Sequence, residues 1–348
     1  MFVANSTTDT ESENPRTTPG HLSLASAISL WSFKAFFGLS LGANRLLLRR
    51  QKDLISPIVK SYHVRPDLKN RIFYPENPDG VKLPLYLDVH GGGWAVGDPA
   101  TDDDFCSFLA QNFNIVVVSI DYHKSPTYRY PHAVEDVAAI AHAVINDNSL
   151  NIARNQVALG GFSAGGNLAF AAAQMDCLRG RLSGLVGFYP SLDLSESVEE
   201  KLSHRPRDAP SDILKSSANL LASAYIPPGV DRRDPFISPR WADMNDLPSS
   251  VYLIGAEYDM LCNEAQQMAQ SLAKNSAAES KRIGIATLPQ GYGWQQGGIR
   301  WECARGKKHA FTHITKHGEK EVERMKFCQG MYSRVGWWLK EDVWARPN

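Results

Sequence analysis

The sequence has no net charge that would draw it to another charged molecule: 37 lysines and arginines balance 37 aspartates and glutamates over 348 residues. No field therefore steers the chain toward nucleic acid or an acidic membrane, and we expect a neutral small molecule as its ligand. The five cysteines show no CxxC spacing, which argues against a zinc site and against a disulfide framework. We predict a reducing, cytoplasmic compartment and neither a metal ion nor a cofactor.

The first residues do not have the pattern of a secretory leader. The first residues, MFVANSTTDTESENPRTTPG, are polar and acidic where such a signal would be basic and then apolar, so we predict a disordered tail over residues 1–20. The apolar stretch from Leu22 to Arg50 carries Lys34 near its middle, and a charge inside a membrane costs several kcal/mol. An amphipathic helix of a cap is the favoured interpretation, with membrane association through Leu22 to Leu48 as the alternative.

Strand-like apolar runs alternate with helix-like periodic segments along most of the chain. The run IVVVSIDY, residues 115–122, is β-branched and continuous, which indicates a strand buried on both faces of a parallel sheet. Further strands are predicted at RIFYPE, LPLYLDV, QVALGGF, SGLVGFYP, SVYLIGA and RIGIATL, and helices at PHAVEDVAAIAHAVINDN, AGGNLAFAAAQM and NEAQQMAQSLAKN. The alternation predicts an α/β fold with a doubly wound, mostly parallel sheet in one domain over residues 21–348. Elements from about 21–55 and 195–245 are predicted to form a helical cap, because the second segment has no clear strand and is too long for a plain loop.

One short stretch, LGGFSAGGNLAF, surrounds Ser163 with small residues at the point where a predicted strand ends and a helix begins. Its core is a G-x-S-x-G pattern, with Gly161 and Gly165 on either side of the serine. The glycines permit a tight turn, and the turn exposes the hydroxyl at a helix N-terminus, where N–H groups favour a developing negative charge. The pattern alone leaves a purely structural serine as the alternative.

A second glycine-rich stretch, HGGGW, follows an earlier predicted strand. Successive glycines let a backbone approach a ligand closely, and their N–H groups can point at an oxyanion. We predict an oxyanion hole from the backbone N–H groups of Gly92, Gly93 and Ala164. A phosphate loop is disfavoured because no Lys-Ser/Thr pair follows.

A serine hydroxyl needs a histidine to accept its proton and a carboxylate to orient that histidine. Asp259 follows a predicted strand, with Glu257 as a competitor, and His309 lies in KKHAFTHITKH. The order serine, acid, histidine is the one this strand-turn-helix architecture uses. We predict His309 as the base, and His313 and His317 as surface residues of a helix that starts just after it.

Together HGGGW, GFSAGG, GAEYDML and HAF, with SIDYHKSP and YPHAVEDV, resemble the hormone-sensitive-lipase-like family of α/β-hydrolases. The resemblance covers roughly residues 71–340 and implies an α/β-hydrolase fold with a cap. It further implies Ser163 as nucleophile, His309 as base and Asp259 as orienting acid.

The sequence departs from this family pattern at three places. Phe162 stands where the family often has Asp or Thr, and Ala310 stands where it often has Gly. The gap from Asp259 to His309 is also longer than usual. We assign the surplus to PQGYGWQQGGIRWECARG and expect it to form a loop beside the pocket.

The sequence therefore predicts a serine carboxylesterase that cleaves a small or medium neutral ester through an acyl-enzyme. Lactone hydrolysis, amide hydrolysis and acyl transfer would use the same residues. A small-molecule receptor without turnover is an alternative of another class, and a membrane-anchored lipase is a third possibility. The sequence makes no prediction of the oligomeric state.

Overall fold

The computed structural model describes residues 27–32, 34–35, 54–76, 80–275 and 281–345. The predicted tail, residues 1–20, lies outside the described residues, as does most of the predicted N-terminal cap element. Within that element, residues 27–32 and 34–35 are helical. The side chain of Leu30 is buried against Ala95 and Leu221 of the main body.

In the described part of the chain a ten-stranded sheet runs in the order β1-β2-β4-β3-β5-β6-β7-β10-β9-β8. Strands β4, β3, β5, β6, β7 and β10 pair in parallel, and the strands at both edges pair antiparallel. The strands are β1 (Ile58–Tyr62), β2 (Arg65–Phe73), β3 (Leu83–Val89), β4 (Val116–Ile120), β5 (Ile152–Phe162), β6 (Gly184–Phe188), β7 (Val251–Ala256), β8 (Ile283–Gly284), β9 (Gly293–Gln296) and β10 (Ile299–Ala304). The predicted mostly parallel sheet is confirmed.

Helices cover both faces of this sheet. They are α1 (Asp103–Phe113), α2 (His132–Ile145), α3 (Ala164–Ala173), α4 (Val198–Ser203), α5 (Ala218–Tyr225), α6 (Cys262–Asn275) and α7 (Glu319–Trp337). Alternate residues of β3 enter two separate cores: Leu85 and Leu87 pack with α2 and α3, whereas Tyr86 packs with α1 and α7. Burial on both faces is why the central strands read as continuous apolar runs rather than as an alternation.

Two predictions for the segment before His309 are wrong: the predicted strand is mostly irregular, and the predicted loop contains strands. The run RIGIATL contributes only the two residues of β8 at the sheet edge, whereas the segment predicted as a loop beside the pocket contains β9 and β10. Strand β10 pairs in parallel with β7 and buries Trp301. The strand was not predicted because it contains the charged residue Glu302. Its carboxylate is buried, but Arg334 forms an ion pair with it and the Tyr252 hydroxyl donates a hydrogen bond to it.

Candidate active site

Ser163 lies in the turn between β5 and α3, with φ 54° and ψ −118°. A side chain at Gly161 or Gly165 would overlap the carbonyl oxygen of Val89 at the end of β3. The serine N–H donates to the carbonyl oxygen of Phe188 at 2.9 Å. The glycines are therefore needed because the turn packs backbone against backbone, and this packing fixes where the hydroxyl points.

The structure brings the three predicted side chains together. Ser163 Oγ lies 2.8 Å from His309 Nε2, and His309 Nδ1 lies 2.6 Å from Asp259 Oδ2. The Asp259 carboxylate is fully buried, and its Oδ1 accepts a hydrogen bond from the N–H of Leu261 at 3.0 Å. A carboxylate on Nδ1 leaves Nε2 facing the hydroxyl, the arrangement in which an imidazole can accept the serine proton.

Glu257, the alternative to Asp259 as the orienting acid, forms hydrogen bonds with groups other than the histidine. Its Oε1 accepts from the Tyr292 hydroxyl at 2.8 Å, and its Oε2 accepts from the N–H of Gly306 at 2.6 Å. Both partners belong to the segment between β8 and His309. The geometry therefore gives Glu257 a role in holding that segment and leaves Asp259 as the acid beside the histidine.

The predicted oxyanion-hole residues lie around the same hydroxyl. Gly92 and Gly93 have φ values of 122° and 58°, which favour glycine, and both line the cavity that contains Ser163. Ala164 is the first residue of α3. The indole N–H of Trp94 donates to Asn167 Oδ1 at 3.1 Å, which ties the glycine loop to α3.

Among the described residues, two cavities have Ser163 in their walls. One, of about 480 Å³, has Ser163 and His309 in its wall. The other, of about 60 Å³, also reaches Ser163 but has Met260 in its wall instead of the histidine. Leu214 and Leu221, from the predicted cap segment 195–245, line both cavities.

His313 does not lie on a helix surface, so that prediction is wrong. Residues 310–314 form turns and a bend, residues 315–317 have no regular structure, and α7 begins only at Glu319. His313 Nε2 lies 2.6 Å from Asp102 Oδ1, and its Nδ1 lies 3.0 Å from the Tyr189 hydroxyl. His317 is exposed, as predicted, but it also precedes α7, so the prediction that it lies on a helix is wrong.

A buried carboxyl pair behind His313 was missed by the sequence reasoning. Asp102 and Asp88 are both buried with their carboxyls near each other, and Asp88 Oδ2 accepts from the Ser119 hydroxyl at 3.0 Å. Burial raises the pKa of Asp102 to about 8 and the pKa of Asp88 well above its ordinary value. Burial also lowers the pKa of His313 to about 4, so its imidazole is neutral near pH 7. The signal was an aspartate inside the otherwise apolar run LPLYLDV.

A family model for the alpha/beta hydrolase fold matches residues 86–283, which is more than half of the chain. The chain belongs to this family. Within it, the chain is of the hormone-sensitive-lipase-like carboxylesterase type, so the sequence resemblance and the class of enzyme, a carboxylic ester hydrolase, are confirmed.

Solved structures share this fold. A thermostable esterase from Pseudomonas putida is 20% identical, with a TM-score of 0.70 over 94% of each chain. A hyperthermophilic esterase from Pyrobaculum calidifontis is 24% identical, with a TM-score of 0.68 over 89% of this chain and 90% of that one. An ester hydrolase from the metagenome of Lake Arreo, complexed with a bipyridine phosphonate derivative, is 24% identical, with a TM-score of 0.63 over 80% of this chain and 82% of that one.

Among the described residues, no helix has both the length and the apolar character needed to cross a bilayer. Most of the stretch from Leu22 to Leu48 falls outside those residues.

Proposed function

We propose that the protein hydrolyses a carboxylic ester of a small or medium neutral molecule, with Ser163 as nucleophile, His309 as general base and acid, and Asp259 as the orienting acid. The observation that carries this proposal is the unbroken chain of contacts from Ser163 Oγ through the imidazole to the buried Asp259 carboxylate. A hydroxyl in this arrangement is activated by an adjacent base, as nucleophilic catalysis requires.

In the proposed reaction Ser163 Oγ attacks the ester carbonyl carbon while His309 Nε2 takes the hydroxyl proton. The N–H groups of Gly92, Gly93 and Ala164 bind the resulting oxyanion. The intermediate collapses, the bond to the alcohol oxygen breaks, and His309 returns the proton to the leaving alcohol. Water then attacks the acyl-enzyme by the same proton path and releases the acid.

The two cavities support an assignment of the two halves of the ester. The group that protonates the leaving alcohol is His309, so the alcohol would occupy the cavity of about 480 Å³ that this histidine lines. The acyl group would then occupy the cavity of about 60 Å³ beside Met260. Leu214 and Leu221 line both cavities, which supports segment 195–245 as a cap over the site.

Hydrolysis of p-nitrophenyl acetate by the intact chain tests the proposal. We expect turnover that falls by at least about 10³-fold in Ser163→Ala and His309→Ala, because the members of such a unit act together. His317→Ala is the matched control, since that histidine is exposed. Turnover that survives in Ser163→Ala would refute the proposed nucleophile, and tight ligand binding without any turnover in the intact chain would favour the receptor alternative.

Acyl transfer uses the same acyl-enzyme. Adding a small alcohol to the assay separates the two outcomes, because an acyltransferase would convert the acyl-enzyme into a new ester. We expect free acid as the main product. A new ester as the main product would show that the protein is an acyltransferase and not a hydrolase.

A further inference from the structure

The residue directly after His309 has an unfavourable backbone. Ala310 has φ 54°, in the left-handed region that a side chain disfavours. The N–H of His313 closes this turn by donating to the carbonyl oxygen of Ala310 at 2.9 Å. A strained turn of this kind persists only when its surroundings hold it in place.

The side chain of His313 supplies such surroundings. Both of its ring nitrogens have partners: Nε2 lies 2.6 Å from Asp102 Oδ1, and Nδ1 lies 2.8 Å from Thr312 Oγ1 and 3.0 Å from the Tyr189 hydroxyl. The Tyr189 ring also meets the His309 ring edge to face, with centroids 4.9 Å apart. The network therefore contacts both the turn and the imidazole that the turn carries.

The far end of the network is fixed in the body of the protein. Asp102 ends a short 3-10 helix that begins at Pro99, and its carboxyl is buried against Asp88 of strand β3. The His313 ring packs nearly perpendicular to the ring of Phe162, the last residue of β5, with centroids 4.8 Å apart. His313 thus joins the turn after His309 to two central strands.

We propose that His313 is a positioning residue of the esterase site, which holds the strained turn at Ala310 through Asp102 so that His309 stays within hydrogen-bonding distance of Ser163. Because its ring nitrogens already bond to other protein groups, His313 acts through His309 and not on the substrate. The kinetic part of this inference rests on the proposed function, whereas its geometric part does not.

The test uses four variants of the full chain. His313→Leu removes both ring contacts, and His313→Gln keeps an amide N–H that can donate to Asp102. Ala310→Gly in the His313→Leu background relieves the backbone strain, and His317→Leu is the control in the same segment. If His313→Leu does not fold, Asp102→Ala replaces it, because that variant removes the carboxyl oxygen that His313 Nε2 contacts.

We expect His313→Leu to lower kcat on p-nitrophenyl acetate by about 10- to 100-fold with little change in KM, since a small misplacement of a catalytic group has effects of this size. His313→Gln should recover most of this loss, and Ala310→Gly should recover about threefold or more, because glycine adopts the left-handed turn without help. A merely structural role would lower the melting temperature but leave kcat per folded molecule unchanged, and that result would overturn the proposal. A loss of kcat that Ala310→Gly does not relieve would overturn it as well.

A crystal structure of His313→Leu gives a readout that does not depend on turnover. We expect His309 Nε2 to lie beyond hydrogen-bonding distance of Ser163 Oγ. An unchanged distance would overturn the positioning role, whereas absence of esterase activity in the intact chain would refute the proposed function and leave this geometric result to decide the inference.

Discussion

Two turns carry the proposed nucleophile and the proposed base, and both hold a non-glycine residue in the left-handed region: Ser163 and Ala310 each have φ 54°. They are held there by different means. The serine turn is enclosed by backbone atoms, which leave room only for glycine at positions 161 and 165. The histidine turn is enclosed by side chains, chiefly those of His313 and Tyr189.

The two turns also differ in how far along the sequence the residues that fix each turn lie from it. The glycines of the serine turn are its immediate neighbours, so the local pattern encodes the turn. The histidine turn depends on Asp102, which is 211 residues away from His313 in the chain. We therefore expect the serine turn to tolerate no added atoms, and the histidine turn to tolerate changes that keep its side-chain contacts.

The largest effect should come from Gly165→Ala. The new methyl group would overlap the carbonyl oxygens of Val89 and His90, which are backbone atoms that cannot move aside. We expect a loss of more than about 3 kcal/mol in unfolding free energy, or insoluble protein. Gly180→Ala is the control, because an added methyl group there meets open space and only the positive φ of 73° opposes it, so it should lose only about 1 kcal/mol. Equal chemical-denaturation curves for the two variants would show that backbone crowding is not what fixes the serine turn.

Gly93→Ala should have a smaller effect on stability and a distinct effect on rate. The added methyl group would lie 2.6 Å from a side-chain methyl of Leu221, which can move, while Gly93 has φ 58°. We expect kcat to fall by about 10²- to 10³-fold, since alanine is strained at this φ and would displace the N–H group that is proposed to bind the oxyanion. Gly93→Ala combined with Leu221→Ala removes the clash, so a rate that recovers fully in the double variant would mean that crowding, not a displaced donor, caused the fall.

The smallest effect should come from Ala310→Gly alone. Relief of the left-handed strain and the greater freedom of glycine in the unfolded chain oppose each other, and each is worth about 1 kcal/mol. Thermal unfolding and kcat should both stay close to those of the parent. A large loss of either would mean that the Ala310 methyl group makes a contact of its own and that the turn is not held by His313.

The sequence predicted most of the fold and the three central side chains because those signals are local. Buried parallel strands are apolar throughout, and the turn at Ser163 carries its glycines beside it. Strand β10 was missed since Glu302 is polar, and only its distant partner Arg334 makes the burial of that carboxylate tolerable. His313 was misplaced for the same reason: its position follows from Asp102 rather than from its neighbours in KKHAFTHITKH.

The most direct test of the central claim is covalent labelling of the intact chain with a fluorophosphonate, followed by intact-mass measurement and peptide mapping. Only a hydroxyl activated by an adjacent base reacts readily with such a probe. We predict one added phosphonyl group, located on Ser163, with Ser163→Ala unlabelled and His309→Ala labelled far more slowly. Labelling of another serine, or none in a chain that hydrolyses esters, would contradict the account.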